Sequence, residues 1–200
     1  MSSSSVRRAC SSLAGPYIDL LGSVDVVHRD DRRLIAEHLG RVSGAVLDLG
    51  CGPGHLTGLL RSTGADVTGV DLVPEFIEHA RRAHPDARFE VGSLTDVDRP
   101  DGSVAGVLAW YSLIHLEPER VSGVLTGIRR LLAPGGVLVL GFFDGPVCEP
   151  FEHRVTTAYR WPVDEAARWL ASAGFAEVER LQRGQEGERR PHAAVAARAV

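Results

Sequence analysis

Ala45-Val46-Leu47-Asp48-Leu49-Gly50-Cys51-Gly52-Pro53-Gly54-His55-Leu56 decides the fold. Val46, Leu47 and Leu49 make the short apolar run of a strand covered on both faces. Gly50, Gly52 and Gly54 remove every second Cβ, so the chain can turn sharply and a ligand can approach the backbone. A helix opening near His55 would aim its free N–H groups into the same space. Asp48 falls at the carboxyl end of the strand, where open α/β sheets hold their ligands.

A phosphate-cradling loop needs Gly-Lys-Ser/Thr at the helix start. The chain has no lysine, all 22 basic residues being arginine, so that reading fails and so does a lysine Schiff base. A dinucleotide turn uses Gly-x-Gly-x-x-Gly, and here the third glycine comes one residue early. A nicotinamide-dependent oxidoreductase is one rival on that ground. It is disfavoured by this spacing and by the absence of a Tyr-x-x-x-Lys pair. The order Asp-x-Gly-x-Gly-x-Gly resembles the first motif of class I S-adenosylmethionine-dependent methyltransferases. In that family the acid binds the methionine amino group and the glycines pass beneath the ligand.

Two hundred residues suit one domain with a substantial core. A formal net charge of -4 gives no reason to expect nucleic acid. There is no apolar run of membrane-spanning length, and residues 1–8 lack a secretory core and read as a loose tail. Cys10, Cys51 and Cys148 match no metal or redox spacing, which fits a reducing cytoplasm and no metal.

Residues 15–40 read as a helical cap containing Tyr17, with Leu34, Ile35, His38 and Leu39 at helical spacing. Strand, helix, strand then follow at 66–71, from Pro74, and at 88–91. Asp71, at the end of the second strand, can accept both ribose hydroxyls. After the third strand comes Gly92-Ser93-Leu94; relatives usually place an adenine-binding acid where Ser93 stands. The fourth strand, 104–110, leads into Trp110-Tyr111-Ser112-Leu113-Ile114-His115. The clearest helix, 117–132, stops at Ala133-Pro134-Gly135-Gly136 before a strand at 137–142, a pattern also similar to the family. The irregular stretch 142–161 gathers Phe143, Cys148, Glu149, Phe151, His153, Arg154, Tyr159, Arg160 and Trp161. Its aromatics could enclose a flat or cationic acceptor, and its His and Arg side chains could hold a carboxylate or accept a proton. A helix at 162–173, a strand through 181, a charged loop at 183–190 and a strand from His192 complete the chain.

The resemblance, carried by about residues 40–145, implies a three-layer Rossmann-like sandwich with a mostly parallel seven-stranded sheet and an antiparallel last strand. It divides the chain into a tail and cap at 1–40 and a cofactor-binding domain at 41–200 with a lid near 143–161. It implies S-adenosyl-L-methionine as cofactor, contacted by Tyr17, Asp48, Gly50, Cys51, Gly52, Gly54, Asp71, Leu72, Ser93, Leu94, Trp110, Tyr111 and His115. Tyr111, Phe143, His153, Tyr159, Arg160 and Trp161 are expected in the acceptor pocket. The implied reaction is in-line methyl transfer to a small molecule, with His115 or His153 as base where the acceptor carries a proton. The other rival is a protein that keeps this fold and cofactor without methylating. The acceptor, its reacting atom and the choice between monomer and homodimer stay open.

Overall fold

The computed structural model describes residues 3–153, 155–185, 187 and 190–200. Seven strands form the main sheet: β1 (Ala45–Leu49), β2 (Asp66–Asp71), β3 (Arg88–Val91), β4 (Val104–Trp110), β5 (Leu132–Asp144), β8 (Phe175–Arg183) and β9 (His192–Ala199). The order is β3-β2-β1-β4-β5-β9-β8, with the first five strands parallel and β9 antiparallel to both neighbours. This is the Rossmann-like arrangement that the family resemblance implies.

Alternation along the strands explains the layers, because successive side chains face opposite sides of a sheet. Leu47, Leu49, Val107, Ala109, Leu138 and Leu140 pack beneath α6 (Pro118–Leu131) and α7 (Val163–Ser172). Val46, Leu108, Val137 and Val139 pack on the other side with α3 (Arg29–Leu39) and α4 (His55–Ser62). The last strand is mostly alanine and sends Ala193, Val195 and Ala197 to one core and Ala194 and Ala196 to the other. At the first turn of α3, His28 Nδ1 accepts from Asp30 N at 3.2 Å, and Asp30 and Asp31 complement the helix dipole.

Two segments differ from the sequence reading. The expected N-terminal tail contains α1 (Ser3–Ser12), followed by α2 (Ala14–Leu21). Their Cys10, Ala14 and Tyr17 pack against Val73 and Phe76 at the start of α5 (Pro74–Ala83), and Ser11 Oγ donates to Glu75 at 3.0 Å. The expected irregular lid contains β6 (Glu149–Phe151) and β7 (Ala158–Trp161), paired as an antiparallel hairpin. β7 also pairs with Phe143 and Asp144, beyond the end of β4 at Trp110. Buried Ala158 and Trp161 drive this pairing: Trp161 is fully buried, stacked on Phe142 and edge-on to Trp169. Arg154 and positions 186, 188 and 189 of the expected charged loop lie outside the described residues.

Candidate active site

The turn after β1 is anchored to β2 by its own backbone: Gly50 and Cys51 donate N–H groups to Val70 O at 2.7 and 3.1 Å. All three glycines have positive φ, +78° at Gly50, +53° at Gly52 and +89° at Gly54. Their missing Cβ atoms serve different ends. A Cβ on Gly50 would lie 2.3 Å from Ser112 Cβ, so this glycine admits the segment after β4. One on Gly54 would meet Ala80 and Phe89 at 2.7 and 2.9 Å, so that glycine lets α4 seat against α5 and β3. Only Gly52 is open, with Tyr17 the nearest atom at 4.0 Å. Gly54 thus makes room for protein and does not line the cavity that Gly50 and Gly52 border.

Beside Gly52 opens a cavity of about 660 Å³, within the range of small-molecule sites. Tyr17, Asp48, Gly50, Cys51, Gly52, Trp110, Tyr111, His115, Phe143 and His153 all line it, as the sequence reading expects of one shared site. Asp48 is 1% exposed and accepts from Thr57 Oγ1 at 2.6 Å. Burial pushes its carboxyl up to about 7; the Thr57 hydrogen bond opposes this and the charge of Asp71 adds to it. Asp71 takes N–H bonds from Gly52 and Val73, each at 2.9 Å. Burial raises its pKa and these backbone donors pull the other way, leaving it above the ordinary value. Tyr17 lies close enough to feel that charge and packs tilted at 5.1 Å on Phe76, which sets α2 beside the turn at Gly52.

The far wall is aromatic. Phe143 lies 4.7 Å from Tyr111, 5.2 Å from Phe151 and 5.8 Å from His153, and His153 lies 5.4 Å from His115. His115 Nδ1 is 3.0 Å from Thr157 O, which fixes the proton on Nδ1, and burial lowers the ring's pKa. Tyr111 has φ +54°, the one positive value among the described non-glycine residues. Its hydroxyl is hydrogen-bonded to His192 Nδ1. His192 Nε2 in turn lies 3.3 Å from Asp31 Oδ1, at ion-pair distance though without the alignment of a good hydrogen bond. Both Asp31 oxygens are bridged by the Arg183 guanidinium, the Oδ1 contact at 2.8 Å.

Several expected site residues lie elsewhere. Trp161 is core, Tyr159 packs against that core, and Arg160 pairs with Glu149 at 2.7 Å across the hairpin, so none lines the cavity. Their alternation belongs to β7, which faces one side to the protein interior. Asp71 and Leu72 border the turn without lining the cavity; the Ser93 hydroxyl caps Thr95 N at 3.2 Å. Leu94 borders a separate hollow of about 410 Å³ against α6. Sequence reasoning missed Asp31 and Arg183 as site residues and gave His192 little weight. Each is a lone polar residue far from any motif, with no local spacing to mark it.

Comparison with known proteins agrees with this geometry. Residues 46–136 match the family model described as a methyltransferase domain. A demethylmenaquinone methyltransferase from Renibacterium salmoninarum is 26% identical over 215 residues, spanning 89% of this chain and 90% of that protein. Another, from Beutenbergia cavernae, is 34% identical over 60% of this chain, which spans only 50% of that relative's length. Among solved structures, the Burkholderia thailandensis 1,6-didemethyltoxoflavin-N1-methyltransferase, with bound 1,6-didemethyltoxoflavin and S-adenosylhomocysteine, superposes with a TM-score of 0.82 at 24% identity. That superposition covers 98% of this chain and 88% of that one, a likeness of fold. Motif, fold and comparisons together support a class I S-adenosylmethionine-dependent methyltransferase, with S-adenosyl-L-methionine as cofactor.

Proposed function

We propose that this chain transfers a methyl group to a small, planar aromatic or heteroaromatic acceptor. The observation that carries the reading is the continuous ring wall Tyr111, Phe143 and His153 facing the glycine turn across one cavity. Aromatic rings lining a cavity favour ligands with flat apolar faces, and they also favour a nearby cation. The acceptors named for the Renibacterium and Burkholderia proteins support the same class.

The residues present fit the cofactor at its methionine end. Gly52 offers a face that a Cβ would fill, Asp48 sits behind it, and His55 Nδ1 is buried with no hydrogen-bond partner among the described residues. When bound, S-adenosylmethionine supplies an electrophilic sulfonium methyl. Asp48 would receive the ammonium, which favours its ionised form and offsets the burial that now raises it. Asp71, oriented by Gly52 and Val73, retains lone pairs for the ribose hydroxyls. Ser93 leaves the adenine without a carboxylate partner, its hydroxyl being engaged in the turn. Tyr17 and the aromatic wall exclude water and hold the acceptor near attack distance, the largest share of the acceleration such a site can offer.

The test follows S-adenosylhomocysteine release over planar phenols and heterocycles against aliphatic amines and amino acids. Turnover confined to planar acceptors is expected. Equal turnover of aliphatic amines contradicts the acceptor class, and cofactor binding with silence on every acceptor favours the non-methylating rival.

A further inference from the structure

We propose that Tyr111, His192, Asp31 and Arg183 form a proton-accepting relay, and hence that the acceptor is one whose methylated centre gives up an O–H or N–H proton. This rests on the methyl-transfer reading of the same cavity. The four residues come from four elements: the end of β4, the start of β9, the first turn of α3 and the end of β8. All four line the cavity, and Asp31 and His192 are each only 4% exposed. Buried polar groups are placed at such a cost only when they satisfy one another.

The hydrogen bonds fix the direction of transfer. Burial holds the Tyr111 phenol protonated, with the Asp31 charge adding to that effect. In the relay's resting state its O–H donates to His192 Nδ1, the nitrogen on the far side of the ring from the acceptor-only Asp31 carboxylate. A neutral ring that accepts at Nδ1 carries its own proton on Nε2, the atom 3.3 Å from Asp31. Burial would raise the Asp31 pKa, but His192 and Arg183 more than offset it and hold the carboxylate ionised. Arg183 bridges both Asp31 oxygens, and Nδ1 is the ring atom that gains the proton. A lone pair of the Tyr111 oxygen is left for the cavity.

The acceptor's O–H or N–H proton passes to Tyr111 Oη as the phenol's own proton passes to His192 Nδ1. The acceptor keeps the bonding pair and uses it for the new bond to carbon. One proton is exchanged for one methyl on the acceptor. The positive charge lost at sulfur reappears on the imidazolium, beside the Asp31 carboxylate. The unusual backbone at Tyr111 is explained by the same demand. Tyr111 holds φ +54° with its ring 4.7 Å from Phe143 and 5.4 Å from His192.

The titratable and charged groups packed against His192 are Asp31 from α3, Arg183 from β8 and Tyr111 from β4, with the uncharged indole of Trp110 at 5.4 Å. Nuclear magnetic resonance of isotope-labelled histidine in the full chain reads the ring directly. The expected result is a neutral ring at neutral pH with its proton on Nε2. Tyr111→Phe should move the Nδ1 resonance, and Asp31→Asn should move the Nε2 resonance. Methyl transfer is then compared for 1-naphthol, a weak acid, and its dinitro derivative, which is ionised at neutral pH. His192→Gln should slow the first by a factor on the order of a hundred more than the second. If that variant fails to fold, Tyr111→Phe carries the same comparison. A ring protonated on Nδ1, an Nε2 resonance indifferent to Asp31→Asn, or equal slowing on both naphthols overturns the relay. Wild type that fails to bind S-adenosylmethionine in calorimetry overturns the functional reading instead, and the resonance result stands apart from it.

Discussion

The two halves of the cavity are built by different means. The proposed cofactor half is backbone: Gly50 and Cys51 are tied to Val70 by main-chain hydrogen bonds, and the Gly52 N–H donates to the Asp71 carboxylate. The acceptor half is side chains from residues 31, 110, 111, 143, 153, 183 and 192, brought together by the whole sheet. A backbone-built site tolerates almost no substitution and serves any acceptor. A side-chain wall can be changed residue by residue, which is how one fold supports many chemistries.

That contrast can be broken by substitution. The largest effect is expected from Gly50→Val, which combines a φ of +78° with a 2.3 Å overlap on Ser112. It should destabilise the fold by more than about 4 kcal/mol, read as loss of the cooperative thermal transition. Trp161→Ala should cost about 3–5 kcal/mol by emptying the Phe142–Trp169 core. It should leave the acceptor KM of the surviving folded protein unchanged, since Trp161 does not line the cavity.

Asp48 gives a pH test of the cofactor half. Its folded pKa of about 7 lies above the ordinary 3.8, so the native state keeps a proton that the unfolded chain has released. Stability should therefore fall as pH rises between those values, by up to about 4 kcal/mol, and level off above. The raised Asp71 adds in the same direction. Asp48→Asn should flatten the dependence of melting temperature on pH, and an unchanged slope would contradict the assignment. In the acceptor half the expected change is smaller: Phe143→Leu should raise the acceptor KM by about three- to tenfold and leave cofactor affinity alone.

Legibility in the sequence follows the same division. The strand-turn-helix around Asp48 could be read because apolar period and glycine spacing are local signals. The ring wall at Tyr111 and Phe143 could be read because aromatics stand at the ends of strands. Tyr159, Arg160 and Trp161 were misleading, since a period-two alternation over four residues is easily lost in a stretch rich in polar and aromatic residues. Trp161 serves the core, and Arg160 serves a hairpin ion pair with Glu149. Asp31 gave no sign because its significance lies in Arg183 and His192, more than 150 residues away and meeting only through the β8–β9 pairing. The opening helix α1 was missed because its anchor is a tertiary contact on α5.

Calorimetric binding of S-adenosylmethionine to wild type and to Gly52→Ala tests the central claim most directly. Alanine at φ +53° meets no protein atom closer than 4.0 Å, so its backbone cost is about 1–2 kcal/mol and the fold should survive. The account predicts that wild type binds and that the added methyl group weakens binding by about tenfold or more with the thermal transition retained. Undiminished binding in the folded variant, or none in wild type, would contradict it.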